Sequence, residues 1–202
     1  PSTLSAEPIR ANDSMQTVIF KLIHSSQSAL RNTLRTVDAI SIKRTADILL
    51  NANHIHIYGQ SGGYVAGLYM QQMLLRAGIL CQAVNDNLDM QLAANTLTQN
   101  DVAVGIAYSG EIRSVIQALT TARAKRAKVI VITATNGSSM AKLAHQVLLY
   151  SNDIPDDLHY LHIGSICEIS IIGLLQSEIL MRENQHEKVA SVAKNIITSR
   201  KK

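Results

Sequence analysis

The sequence predicts an α/β fold, a three-layer sandwich in which a five-stranded parallel sheet lies between two layers of helices. Two features carry this reading. Short apolar runs alternate with helical patterns between residues 54 and 150, the rhythm of βαβ units. Within those runs the residues are apolar throughout, as expected of a strand whose sheet is covered by helices on both faces. Right-handed crossovers then wind the sheet doubly, and a flavodoxin-like strand order fits five strands.

Each element has its own signal. Residues 1–13 are polar. From Ser14, the expected N-cap, to Val37, apolar residues recur at helical spacing (Val18, Leu22, Leu30, Leu34). A second helix over about 41–51 turns Ile42, Ala46 and Leu49 inward and is broken by Asn51-Ala52-Asn53. The first strand is 54–58. Its helix runs from about Tyr64 to Ala77 and stops at Gly78, which suits a left-handed C-terminal position. A short strand near 80–84 leads through Asn85-Asp86-Asn87 into a helix ending near Leu97, and the third strand is 102–107. A helix from about Ile112 carries the stripe Ile112, Val115, Ile116, Leu119. The fourth strand (128–133), a short helix at 138–143 and a fifth strand (146–150) complete the sheet. After a turn rich in Asp, a helix from about His159 to Glu183 is apolar nearly all round. One sheet would not cover it, so a homodimer interface is expected there. A last amphipathic helix is expected over 186–199.

Composition excludes several classes. An apolar share of 47% in 202 residues supports a packed core and excludes a disordered chain. No uninterrupted apolar run of about eighteen residues is present, so no membrane span is expected, and the opening Pro-Ser-Thr-Leu-Ser lacks the pattern of a signal peptide. The absence of an initial Met suggests a fragment or a processed product. Cys81 and Cys167 are too few for a disulfide framework, which suits a reducing cytosol. The net charge of +4 is spread out, apart from Arg123–Lys128 and the tail Arg200-Lys201-Lys202, and aromatic residues make up 3%. A nucleic-acid surface within this chain is therefore not expected. His159 and His162, three apart, lack the third ligand of a helical zinc site, and no metal is expected. His54 and His56 are read as structural.

The chemistry concentrates in two loops. His-Ile-His-Ile-Tyr-Gly-Gln-Ser-Gly-Gly, residues 54–63, is a strand that turns into a helix through small and hydroxylated residues. Such a loop offers backbone N–H groups at the positive end of a helix, where an anion, phosphate above all, is favoured. Ser109-Gly110-Glu111 follows the third strand in the same way. Neighbouring parallel strands deliver these loops to one edge, so Ser61, Gly62, Ser109 and Gly110 are expected to share one ligand. The competing role for both serines is helix N-capping. Gly59–Gly63 does not satisfy the dinucleotide fingerprint, although Asp86 stands where a ribose-binding acid would.

Gly59-Gln60-Ser61-Gly62 and Tyr108-Ser109-Gly110-Glu111, followed by Val129–Thr133 and Leu143-Ala144, resemble the SIS (sugar isomerase) domain over roughly residues 40–185. The leading helix and the Lys/Arg-ended last helix resemble the C-terminal effector half of RpiR-type bacterial transcriptional regulators. The resemblance implies a phosphosugar ligand held by Gln60, Ser61 and Gly62 from one loop and by Ser109, Gly110 and Glu111 from the other. SIS domains that bind sugar phosphates commonly read Ser-x-Ser-Gly-Glu-Thr at the second loop. This chain reads Ala107-Tyr108-Ser109-Gly110-Glu111-Ile112, two hydroxyl donors short, which nominates Arg113 as a further phosphate contact. Glu168 lies where SIS isomerases carry a general-base glutamate and is counted with the ligand residues.

The expected organisation is an arm or linker over 1–40, the SIS unit over 41–185, and a terminal helix with its basic tail over 186–202. The expected function is that of a cytoplasmic, non-catalytic sensor needing no cofactor. It would act as a homodimer or higher homo-oligomer and signal to DNA through a separate upstream helix-turn-helix domain. The alternative is an aldose–ketose phosphosugar isomerase using Glu168, and a dinucleotide-binding module ranks last.

Overall fold

The computed structural model describes residues 8–152 and 160–182. Two helices, α1 (Met15–Thr36) and α2 (Ala39–Leu50), lead into β1 (Ile55–Gly59), α3 (Gly62–Arg76), β2 (Cys81–Val84), α4 (Asn87–Thr96) and β3 (Val102–Ile106). There follow α5 (Arg113–Ala124), β4 (Lys128–Thr133), α6 (Ser139–Leu143), β5 (Gln146–Leu149) and α7 (Tyr160–Leu180). The five strands form one sheet in the order β2-β1-β3-β4-β5, with every neighbouring pair parallel. This is the predicted flavodoxin-like order. The expected terminal helix over 186–199, the basic tail and the Asp-rich turn lie outside the described residues, as do the side chains of His159 and His162.

The apolar strands divide their side chains between two cores. Ile57, Val104 and Ile130 are in register across β1, β3 and β4, and all three are buried against the layer that contains α2, α3 and α7. Ala103, Val129 and Val131 point the other way, into the layer of α4, α5 and α6. Covering both faces removes the reason for in–out alternation.

Capping residues set the helix starts. Ser14 Oγ accepts the Thr17 N–H (3.2 Å), as expected. The second helix begins earlier than its apolar pattern suggested, because Asp38 accepts the N–H groups of Ile40 (3.2 Å) and Ser41 (2.9 Å). Asp86 caps α4 through the N–H groups of Leu88 and Asp89, which gives that acid a local structural role at the point where a ribose contact was considered.

The long apolar helix α7 is covered along one side within this chain. Ile163, Cys167, Ile171, Ile172, Leu175 and Ile179 are all buried, packed by α1, α2 and α3. Three helices of this chain thus supply much of the cover for which a second copy was expected, while Leu174 is left 42% exposed. Ile163–Leu180 is also long and apolar enough by composition to cross a membrane, a test that a core helix can pass as well. Polar residues fasten the arm. Thr33, buried on α1, donates to Ala29 O (2.8 Å) and accepts the Ser151 N–H (3.1 Å), and it lies 3.6 Å from Cys167 Sγ. Thr33→Val keeps the shape but withdraws the acceptor from the buried Ser151 N–H. A loss of about 1–2 kcal/mol is expected, read as a lower urea midpoint at unchanged m-value and restored by Thr33→Ser. A midpoint equal to that of the wild type would show that α1 is not fastened there.

Candidate functional site

The C-terminal ends of β1 and β3 open into a cleft of about 270 Å3 lined by Gln60, Ser61, Gly62, Gly63, Ala107, Tyr108, Ser109, Ile112, Gly164, Ser165 and Glu168. This is the edge at which ligands bind in open parallel sheets. A larger groove of about 600 Å3 runs between α1, α2 and α7. Its walls are dominated by residues such as Leu30, Leu34, Val37, Leu174 and Met181, and it offers no converging donors at a strand edge. The smaller cleft is therefore the candidate site.

The first loop is built around close backbone packing. A Cβ on Gly63 would stand 2.3 Å from the Ile106 carbonyl oxygen, and one on Gly59 would stand 2.6 Å from the Gly63 backbone. Two glycines thus let the first turn of α3 rest directly on the ends of β1 and β3. Between them Ser61 is forced to φ 48°, ψ −123°. That region is costly for a residue with a Cβ and persists where the surroundings impose it. Its side chain does not cap α3, so the competing N-cap role does not apply to it. Instead the Ser61 carbonyl accepts from Tyr64 and Val65, while Gly62 and Gly63 at the positive helix end have N–H groups with no intrahelical acceptor. Gln60 is steadied from α4 by its Nε2 donating to Asn87 Oδ1 (2.8 Å).

The second loop does two jobs. Ser109 Oγ accepts the Glu111 N–H (3.2 Å), and the side chain lies exposed in the cleft wall. It does not cap α5, whose N-cap is Ile112, without a side-chain bond. Three expected ligand residues lie outside the cleft lining, each for a physical reason. Gly110, at φ +65°, turns the chain against Ser138 and Thr133, with no space for a Cβ, and its carbonyl accepts the Met140 N–H. Glu111 accepts the Ser139 N–H (2.8 Å) at the start of α6. Its hydrogen bonds with Ser139 hold its carboxyl below the usual range. Arg113 is exposed on the first turn of α5.

Glu168 does reach the cleft, from the third turn of α7. It is 3% exposed. Its Oε1 accepts the Tyr150 O–H (2.7 Å), and its Oε2 is buried with no hydrogen-bond partner among the described residues. Burial drives the carboxyl up to about 7, against the lowering effect of the Tyr150 hydrogen bond. The Tyr150 phenol is itself raised by burial, and its ring lies 6.3 Å from that of Tyr108. Tyr150, Gly164 and Ser165 were not singled out in the sequence. The available signal was the adjacent pair of small residues, Gly164 and Ser165, one turn before Glu168. No cluster of His, Cys, Asp and Glu suited to a metal ion occurs among the described residues.

Comparison with known proteins follows the same lines. The SIS domain family model matches residues 48–160. The chain is 27% identical over 187 residues to an uncharacterized HTH-type transcriptional regulator of Caldanaerobacter subterraneus, covering 93% of this chain and 66% of that protein. It is 28% identical over 137 residues to the HTH-type transcriptional regulator RpiR of Escherichia coli, covering 68% of this chain and 46% of the regulator. The chain thus spans between about half and two thirds of the length of these relatives. Among solved structures, the Vibrio vulnificus NanR protein complexed with ManNAc-6P superposes with a TM-score of 0.83 at 20% identity, covering 91% of this chain and 70% of that one. A putative sugar-phosphate isomerase from Listeria monocytogenes superposes with a TM-score of 0.75 at 12% identity, covering 90% and 98%. At these identities the superpositions establish the fold.

Proposed function

We propose that this chain, which belongs to the SIS domain family, is the ligand-sensing part of an RpiR-type transcriptional regulator and binds a phosphorylated sugar or related metabolite in the cleft at the ends of β1 and β3. The observation that carries this reading is the convergence there of Ser61, the free N–H groups of the first turn of α3, and Ser109. These are neutral donors arranged for a small anion. Gln60, held toward α4, faces the non-phosphorylated end of the ligand. The likeness to regulators, and to a phosphosugar complex of one such fold, supports it. Residues 41–185 form the binding unit, and DNA binding belongs to a segment outside this chain. Self-association is supported by the exposed stripe of Met15, Ile19, Phe20 and Ile23 on α1, contiguous apolar surface of the kind that marks an interface.

Thermal unfolding with a panel of pentose, hexose and N-acetylhexosamine phosphates, each beside its unphosphorylated parent, tests the reading. A compound that binds only the folded state at 100-fold its Kd adds about 2.7 kcal/mol. At least one phosphorylated compound is expected to raise the midpoint while its parent does not. Ser61→Ala and Ser109→Ala should each weaken binding by roughly tenfold to a hundredfold, the worth of a charge-assisted hydrogen bond. Stabilisation by none of the phosphates would overturn the reading. A second reading, aldose–ketose isomerisation, has one observation in its favour: a buried carboxyl near pH 7 suits a general base. Turnover of an aldose phosphate, abolished in Glu168→Gln, would carry it.

A further inference from the structure

The described cleft wall holds one carboxyl group and no Lys, Arg or His side chain. That carboxyl, Glu168, receives the Tyr150 hydroxyl on Oε1 and keeps a buried Oε2 that has no partner among the described residues. The described groups around it are Tyr150 at the end of β5, bonded to Oε1, Tyr108 beyond β3, whose ring lies beside that of Tyr150, and Cys167, its neighbour on α7. Although α1, α2 and α3 all pack on α7, no charged group among their described residues acts on Glu168. A phosphate monoester carries close to two negative charges at neutral pH. An ionised carboxylate in the same small cleft as such a charge, at the effective dielectric of a protein site, would weaken binding by roughly a hundredfold or more. With no cation in the described wall to offset this, a neutral carboxyl is the form that lets both occupy one cleft.

We propose that Glu168 is a carboxylic acid in the ligand complex, donating its Oε2–H to an oxygen of the phosphorylated sugar, so that the domain takes up the ligand together with one proton from solvent. The proposal rests on the phosphosugar reading above and adds what the sugar must present: an acceptor oxygen at the α7 side of the cleft. Tyr150 selects the proton's position. Its O–H already occupies Oε1, which leaves Oε2 as the protonated oxygen. In the protein alone burial places the group at about 7, and a bound anion raises it further, so uptake falls in the physiological range. A carboxyl held neutral donates without the repulsion that a carboxylate would bring, and Tyr150 acts on the ligand only through Glu168, as a positioning residue.

The test is isothermal titration of every phosphosugar that stabilises the protein in the panel, ManNAc-6P among those tried, between about pH 7 and pH 8.5. In this window the phosphate is already a dianion, so a slope reports the protein. Wild type is expected to lose about tenfold in affinity per pH unit. Glu168→Gln, whose amide N–H donates from the same place, should hold its affinity across the window within about threefold of the wild-type value near pH 7. Glu168→Ala should bind at least about tenfold more weakly than Glu168→Gln at every pH. Repeating the titration in buffers of different ionisation heat should show uptake of up to one proton by wild type and none by Glu168→Gln. Equal slopes in wild type and Glu168→Gln, wild-type affinity that rises with pH, or a Glu168→Gln protein as weak as Glu168→Ala would each overturn the inference while leaving the phosphosugar site standing. Binding by no phosphosugar to any of the three proteins would instead remove the site itself, and this inference with it.

Discussion

Gly63→Ala is expected to cost this protein at least about 3 kcal/mol, and to leave it largely unfolded if its total stability lies toward the low end of the usual 5–15 kcal/mol. The added methyl would stand 2.3 Å from the Ile106 carbonyl oxygen and 3.1 Å from its carbon. Both are backbone atoms of the central strand β3, hydrogen-bonded into the sheet on each side, and so they have no rotamer into which to retreat. Relief would come only from lifting the first turn of α3, which would also break the packing of Gly59 against Gly63. The effect is local to this contact. Gly173→Ala, in the interior of α7 with nothing within 4 Å of the new methyl, should be neutral or stabilising by up to about 1 kcal/mol, since alanine is the better helix former. Urea unfolding of the two variants side by side is the measurement. A Gly63→Ala protein as stable as wild type would mean that α3 is not seated on β3 as described. A variant that survives at reduced stability should bind the phosphosugars less well, because the N–H groups of Gly62 and Gly63 move with the turn.

The contrast between these two glycines bears on what a single sequence reveals. The loop 59–63 was legible as a strand-to-helix turn because glycine and serine cluster there, and that is a local property. Which glycine touches another strand is not local, and nothing in the spelling separates Gly63 from Gly173. The helix starts follow the same rule. Ser14 was readable as a cap because an apolar helical stripe begins beside it. Asp38 was not, since the inward stripe of α2 begins only at Ile42, past the first turn that Asp38 caps. In the second loop, serine and glutamate looked like ligand residues by position alone. The structure splits them: Ser109 stays in the cleft wall while Glu111 turns to the start of α6, twenty-eight residues on, whose first N–H groups need an acceptor. The cover over α7 was missed for a related reason. The apolar perimeter of a helix states how much surface must be buried, but not whether α1 and α2 or a second chain will bury it. The pairing of Tyr150 with Glu168 joins the end of a strand to a helix eighteen residues on, and no periodicity encodes it.

That pairing sets up the other large effect, one that needs no ligand. Replacing Glu168 by Gln is expected to stabilise the protein by about 3 kcal/mol at pH 8 while changing little near pH 4. The sign follows from the direction of the shift. Burial raises Glu168 from its ordinary 4.5 to about 7 in the folded state, so folding favours the protonated form. Below about pH 4.5 folded and unfolded chains both hold the proton, and the group's contribution to stability is intact. Between about 4.5 and 7 the unfolded chain has lost its proton and the folded one has not, and stability drains at up to about 1.4 kcal/mol per pH unit. Above about 7 the folded group ionises too, and the loss levels off. Glutamine resembles the neutral acid at every pH, accepting the Tyr150 hydroxyl on its carbonyl oxygen, so it escapes the loss. The quantity to plot is the difference in unfolding free energy between variant and wild type against pH, because that cancels the opposite trends of carboxylates held low, such as Asp101, which the hydrogen bonds from Thr98 and His54 keep ionised despite its burial. The difference should rise with pH and flatten near neutrality. In a Tyr150→Phe background the flattening should move to higher pH, because the hydrogen bond that lowers Glu168 is gone. A difference that stays level from about pH 5 to pH 8 would mean that Glu168 is solvated in the folded protein and ionises normally. The cleft would then hold a fixed negative charge, and its occupant would have to be something other than a phosphate bound by neutral donors.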